Sequence, residues 1–242
     1  MGEKSEVIIS LFGILDVTGE VVAMWLILLI ACILSLVVKL TFRERPGRLQ
    51  NMIEAGVEYL VNFFSDVLGR EKTRKYFVFL ASLFVFIIIS NYSGLIPGVG
   101  HTPYVKAPTS SLSVTAGLSL TCFVFLQVAG LRHNVKHYFK RFVVPMFFML
   151  PLTVLDEIIK PLSLSLRLFG NIFGEEMVTE QLYHIFPIGL PVVMMALSIL
   201  FCALQAVVYT TLISIYLGEV TEEIEEAEPK KLKKRNKNLL SK

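Results

Sequence analysis

The sequence predicts an all-α integral membrane protein: one domain of about five membrane-embedded helices plus one amphipathic surface helix, the last two spans forming a long, strongly tilted hairpin. Three observations carry this. Of the 242 residues, 54% are hydrophobic and only 18% charged, a composition rare in soluble domains. Two apolar runs, 21–40 and 192–218, are long enough to cross a bilayer with hardly an interruption. The positive charges gather in short clusters beside apolar runs, as they do at the flanks of spanning helices. The net charge of +3 is modest and points to no nucleic-acid partner.

Residues 1–19 are short and mixed and read as an external lead. Lys4 is a weak n-region, no A-x-A site follows, and the first long apolar run starts near Val21, so a retained helix is expected rather than a signal peptide. Arg43, Arg45 and Arg48 follow this span. They place its end in the cytoplasm and the N-terminus outside. In 47–68, Leu49, Met52, Ile53, Val57, Leu60, Val61 and Phe64 recur at helical spacing, with Glu54, Glu58 and Asp66 elsewhere. That pattern fits a helix lying on the cytoplasmic membrane surface.

A second basic cluster, "REKTRK", precedes a span at 76–97 that closes in the turn-rich "NYSGLIPG". Residues 98–109 read as an external loop and 110–131 as the returning span. The basic "RHNVKHYFKR" then marks the cytoplasmic side again. Cys32, Cys122 and Cys202 all lie in apolar segments without CxxC or His–Cys spacing, and read as small buried hydrophobes. His133 and His137 stand at i,i+4 but in a solvated basic segment, and His101 falls in the external loop.

From 146 the chain is apolar yet seeded with Asp156, Glu157, Lys160, Arg167, Asn171, Glu175 and Glu176. After "PIGLP" it is apolar again to 218, and 219–242 reads as a solvated, partly disordered cytoplasmic tail. Both ends of 146–218 are cytoplasmic, so the segment must double back. A helix over 146–183 would measure ~57 Å against a bilayer core of ~30 Å. It must tilt, break or project, and Pro161 is a candidate kink.

Arg167 stays protonated at physiological pH and costs several kcal/mol in lipid. It needs a carboxylate, a water-filled cavity, or both. At 100° per residue, Ser163, Gly170, Asn171 and Gly174 fall within about 60° of it. The Gly170/Gly174 pair would let another helix approach closely. Glu175 is on the flank and Glu176 points to the opposite side. The alternatives are a structural salt bridge or a fixed charge on an ion path. Asp156 and Glu157 are within ion-pairing reach of Lys160 on one helix. In the last span, Ser198, Phe201, Cys202, Tyr209 and Tyr216 share a stripe with Gln205, which is either a helix–helix hydrogen bond or a partner of Arg167. His184 beside the external turn is a relay candidate, and Asn91 either caps its exit turn or lines an aqueous entrance. No nucleophile–base pair, P-loop or metal box occurs, so no cofactor and no small-molecule substrate are expected.

"SLSLRLFGN", with an acid nine residues after the arginine, closely resembles subunit a of the F-type ATP synthase membrane sector. "NYSGLIPG", "PTSSLSVT" and "LQAVVYTTLISIYLGE" are similar to further segments of that family, so the resemblance covers roughly 76–222. It implies a non-catalytic stator subunit that couples ion flow to ATP synthesis, with the proton as the expected ion. Its partners would be a ring of c subunits, peripheral-stalk b subunits and membrane lipid, in a bacterial plasma membrane or an organelle's energy-converting membrane. Arg167 would face the ring. Asn171, Glu176, Gln205 and Asn91 fall on the family's polar positions. Two positions depart from the pattern: Ser111 replaces an acid, and Ser198 stands where some members carry histidine. Glu175, Glu176 and His184 are therefore the relay candidates. A secondary transporter would predict broken helices or internal repeats, and neither is visible. A purely structural subunit, its polar residues serving as glue, would tolerate Arg167→Ala if a neighbouring acid were removed too.

Overall fold

The computed structural model describes residues 7–11, 15–41, 47–95, 108–133, 150–186 and 189–225. The described residues form six α-helices, α1 Gly19–Thr41, α2 Arg48–Leu68, α3 Arg70–Ser93, α4 Leu112–His133, α5 Leu150–Ile185 and α6 Leu190–Glu225. A short 3₁₀ turn, Pro108–Ser110, precedes α4. Among the described residues, three helices contain segments long and apolar enough to cross a bilayer: Arg70–Ser93, Leu112–Arg132 and Val192–Thr221. Val21–Ile33 of α1 is a shorter apolar stretch.

The all-helical expectation needs one correction. The N-terminal lead carries an antiparallel hairpin, β1 Val7–Leu11 with β2 Leu15–Thr18, with an irregular register between Val7 and Ile9. Its β-branched content (Val7, Ile8, Ile9, Val17, Thr18) favours strand.

Other boundaries shift for local reasons. The α3 helix starts at Arg70 and takes in the whole basic cluster, because "REKTRK" contains good helix formers and no breaker. The turn into it is made by Gly69, at φ 84° and ψ 152°, a region open to glycine. The Thr73 hydroxyl, a turn into α3, donates to the Phe64 carbonyl at 3.1 Å, tying the two helices at the corner. The α6 helix runs on to Glu225 instead of ending at Gly218, since Glu219–Glu225 holds no breaker. The tail from 226, His101, His137 and most of the 98–109 loop lie outside the described residues. The α5 helix continues unbroken through Pro161. At 36 residues, α5 and α6 are each about 54 Å long.

One core joins five helices: Phe64 and Leu68 of α2, Leu80, Leu83 and Ile87 of α3, Cys122 and Leu126 of α4, Leu164 and Leu168 of α5, and Ala206, Tyr209, Ile213 and Leu217 of α6. Phe79 stacks on Phe125 at 3.6 Å between centroids. Leu68 sits against the α6 backbone, 3.5 Å from where a Cβ on Gly218 would be. The α1 helix lies against α3 and the 3₁₀ turn, and its Cys32 is exposed, unlike buried Cys122 and Cys202. Most large exposed side chains on α1, α5 and α6 are apolar, the surface that lipid or another apolar helix covers.

Candidate functional site

The inward stripe of α5 is Leu164, Ser165, Leu168 and Ile172, all buried. Arg167 is two residues from Ser165, a rotation of about 200°, and so emerges on the exposed face. Leu162, Leu166, Phe173 and Met177, elsewhere on the outer surface of α5, are all more than 40% exposed. No acid pairs with Arg167 among the described residues. A Cβ added at Gly170 or Gly174 would meet nothing within 4 Å. The small-residue stripe is therefore open, and none of the described helices fills it.

The acids divide between two surfaces. Glu175 is half-buried and Glu176 exposed. The Ser198 hydroxyl of α6 lies beside the Glu175 carboxyl, and Cys202 is near enough to feel its charge. The Oε1 atom of Glu175 is buried and without a hydrogen-bond partner. From α3, Asn91 Nδ2 donates to the Cys202 carbonyl at 3.5 Å and the Tyr92 hydroxyl donates to the Ile199 carbonyl at 3.0 Å. Buried polar atoms without protein partners gather around this junction: Asn91 Oδ1, Ser90 Oγ, Gln205 Nε2 and Glu175 Oε1. Such groups are ordinarily satisfied by water. The α3–α5–α6 junction is thus suited to hydration.

At the other end of α5, Lys160 Nζ pairs with Glu219 of α6 at 2.8 Å and with Glu157 at 3.6 Å, and lies 4.9 Å from the Tyr216 ring centroid. Glu157 also accepts from Gln127 Nε2 of α4 at 3.1 Å. Lys160 is thereby drawn off the Arg167 face. Asp156 is exposed, and the local pair with Lys160 is made by Glu157 alone.

The family follows from comparison with known proteins. The ATP synthase A chain family model matches residues 21–218. The chain belongs to the ATP synthase A chain family. It is 38% identical over 209 residues to "ATP synthase subunit a" of Moorella thermoacetica, covering 85% of this chain and 92% of that one. It is 38% identical over 203 residues to "ATP synthase subunit a 1" of Syntrophotalea carbinolica, covering 82% and 84%. A chloroplastic ATP synthase subunit a, from Stigeoclonium helveticum, is 35% identical over 213 residues, covering 86% and 87%. The match of this ATP synthase A chain member reaches back through α2 and α1, beyond the residues that carry the motifs.

Of the site residues expected from sequence, Asn91, Glu175, Ser198 and Gln205 sit at the α3–α5–α6 junction, with half-buried Asn171 on α5. Arg167 is exposed on α5 and Gln205 buried on α6. The stripe containing Gln205 keeps Ser198, Cys202 and Tyr209 buried but leaves Phe201 43% exposed. His184 is exposed in the last turn of α5. Sequence reasoning missed Tyr92, Ser165 and Glu219. Tyr92 follows Asn91 directly, and that adjacency was the available signal.

Proposed function

We propose that this chain is the ion-translocating stator subunit of a rotary ATP synthase, with Arg167 as the fixed cation facing a ring of c subunits. The observation that carries the reading is Arg167 itself: a permanent cation on the exposed face of α5, with no acid paired to it among the described residues and an open glycine stripe beside it. An unpaired guanidinium in lipid is costly, so a carboxylate from another subunit is its natural counter-charge. Each ring carboxylate, neutral in lipid, is stabilised in its ionised form as it passes Arg167.

Two aqueous half-channels would serve it. The unpartnered polar atoms of Asn91, Glu175 and Gln205, with Ser198 alongside, support an external one. Exposed Glu176 and His184 lie toward the same end. Asp156 and Glu157 would serve the cytoplasmic one, with Asp156 the freer carboxylate. Arg167 repels cations from the gap and keeps the channels apart. The ion is taken as a proton.

In this arrangement α1, α3, α4 and the α5–α6 pair are membrane-embedded, the pair as a tilted hairpin, since two helices of about 54 Å exceed the bilayer core. The exposed apolar residues of α2 rest on the cytoplasmic surface. The N-terminus is external and the C-terminus cytoplasmic, in a bacterial plasma membrane or an organelle's energy-converting membrane. Peripheral-stalk b subunits hold the chain against the ring. The decisive experiment replaces Arg167 by Ala in the assembled complex and measures ATP-driven ion pumping in reconstituted vesicles. Loss of coupled pumping at normal assembly is expected; retained, normally coupled pumping overturns the reading.

A further inference from the structure

The α4 helix contributes none of the ion-path residues, yet it carries hydrogen-bonding side chains that reach α5 and α6, two of the three helices that do. Ser119 Oγ lies 3.1 Å from the Tyr209 hydroxyl of α6. That hydroxyl donates to Cys122 Sγ at 3.9 Å, which leaves Ser119 as the donor to Tyr209. One turn toward the N-terminus of α4, the Thr115 hydroxyl is spent on the Ser111 and Leu112 carbonyls, and its oxygen accepts from Ser165 of α5 at 3.4 Å. None of Thr115, Ser119, Cys122, Ser165 and Tyr209 is more than 3% exposed. Thr115, Ser119 and Cys122 are spaced i, i+4, i+7 and form one stripe.

The placement on the partner helices matters. Ser165 anchors the inward side of α5 two residues before Arg167, and Tyr209 is one turn beyond Gln205. Leucine contacts between membrane helices are not directional, and no hydrophobic drive holds a helix at one rotation in lipid. Hydrogen bonds are directional. A slip of α5 by a single residue would rotate Arg167 by about 100°, off the open face.

We propose that Tyr209 and Ser119 are positioning residues: their bond holds α6 at one rotation against α4, while the Ser165–Thr115 bond on the same α4 stripe holds α5, so that Gln205 keeps its place relative to Arg167 while a ring moves past. This rests on the ion-translocating reading above. The test uses the assembled complex in membrane vesicles with Tyr209→Phe, Ser119→Ala, the double variant, Ser119→Thr and, in parallel, Arg167→Ala. The readout is protons pumped per ATP hydrolysed, at equal amounts of assembled complex. Tyr209→Phe and Ser119→Ala should each lower this ratio by about threefold, the factor one interhelical hydrogen bond supplies. The double variant should lose no more than either single one, and Ser119→Thr, which keeps the hydroxyl, should retain the ratio. An unchanged ratio in Tyr209→Phe, or single losses that multiply in the double variant, overturns the proposal. Losses confined to the amount assembled also overturn it, because they reveal packing alone. Coupled pumping that survives Arg167→Ala instead overturns the ion-translocating reading on which the proposal rests.

Discussion

Replacing Gly170 by Leu separates a lipid-facing surface from one that another helix must approach. Among the described residues nothing lies within 4 Å of a Cβ placed there, and Gly170 is in mid-helix. The isolated subunit should therefore accept the side chain without a clash. Removing a mid-helix glycine gains about 0.8–1 kcal/mol of helix propensity, so thermal stability should hold or rise. The assembled complex should behave oppositely. Close helix packing sets axes about 8–10 Å apart, the near end needing small residues. A leucine one turn from Arg167 pushes a partner helix toward the far end of that range. A displacement of about 1 Å at a reacting centre is enough for a loss of order 100-fold. The assays are the melting temperature of the purified subunit by size-exclusion and dye-quench pumping in reconstituted vesicles. Pumping at the unsubstituted rate would refute the reasoning, since the Arg167 face would then border only lipid. A steep fall in the subunit's own melting temperature would refute its first half.

Two further predictions concern the scaffold. Lys160→Ala should destabilise the subunit by about 1 kcal/mol, as a partly exposed ion pair warrants, with the effect falling as salt rises; a Lys160→Glu/Glu219→Lys exchange should recover most of it, measured by thermal melting. Gly69→Ala should cost on the order of 1–3 kcal/mol, because φ 84° with ψ 152° is hostile to any side chain. Limited trypsin digestion should show it as faster cleavage at Arg70.

What sequence revealed depended on whether the signal was local. The α2 helix was legible to within a residue, because its charge alternates with apolar positions at 3.6-residue spacing and glycines bracket it. Arg167 was legible because a lone cation in an apolar run has few explanations. The ends of α3 and α6 were not: polarity was read as a boundary, whereas helix formers carry the backbone onward whatever the solvent. The β-hairpin was hidden because two strands of five and four residues are too short for a clear alternation. Pairings across the bundle were hardest. Helical angle placed Gln205 and Arg167 on stripes, but not which way each stripe faces, and one proves buried and the other exposed. Lys160 was assigned its i,i+3 partner while Glu219, far along the chain, went unnoticed.

The bare guanidinium also bears on biogenesis. Under the proposed reading, the newly inserted subunit displays a cation to lipid until a ring arrives, and is at its least stable in that interval. Assembly then removes the misfit, so the joining of subunits is favoured by the same side chain that later serves transport. Under the same reading, orphan copies still display a charge that completed complexes conceal.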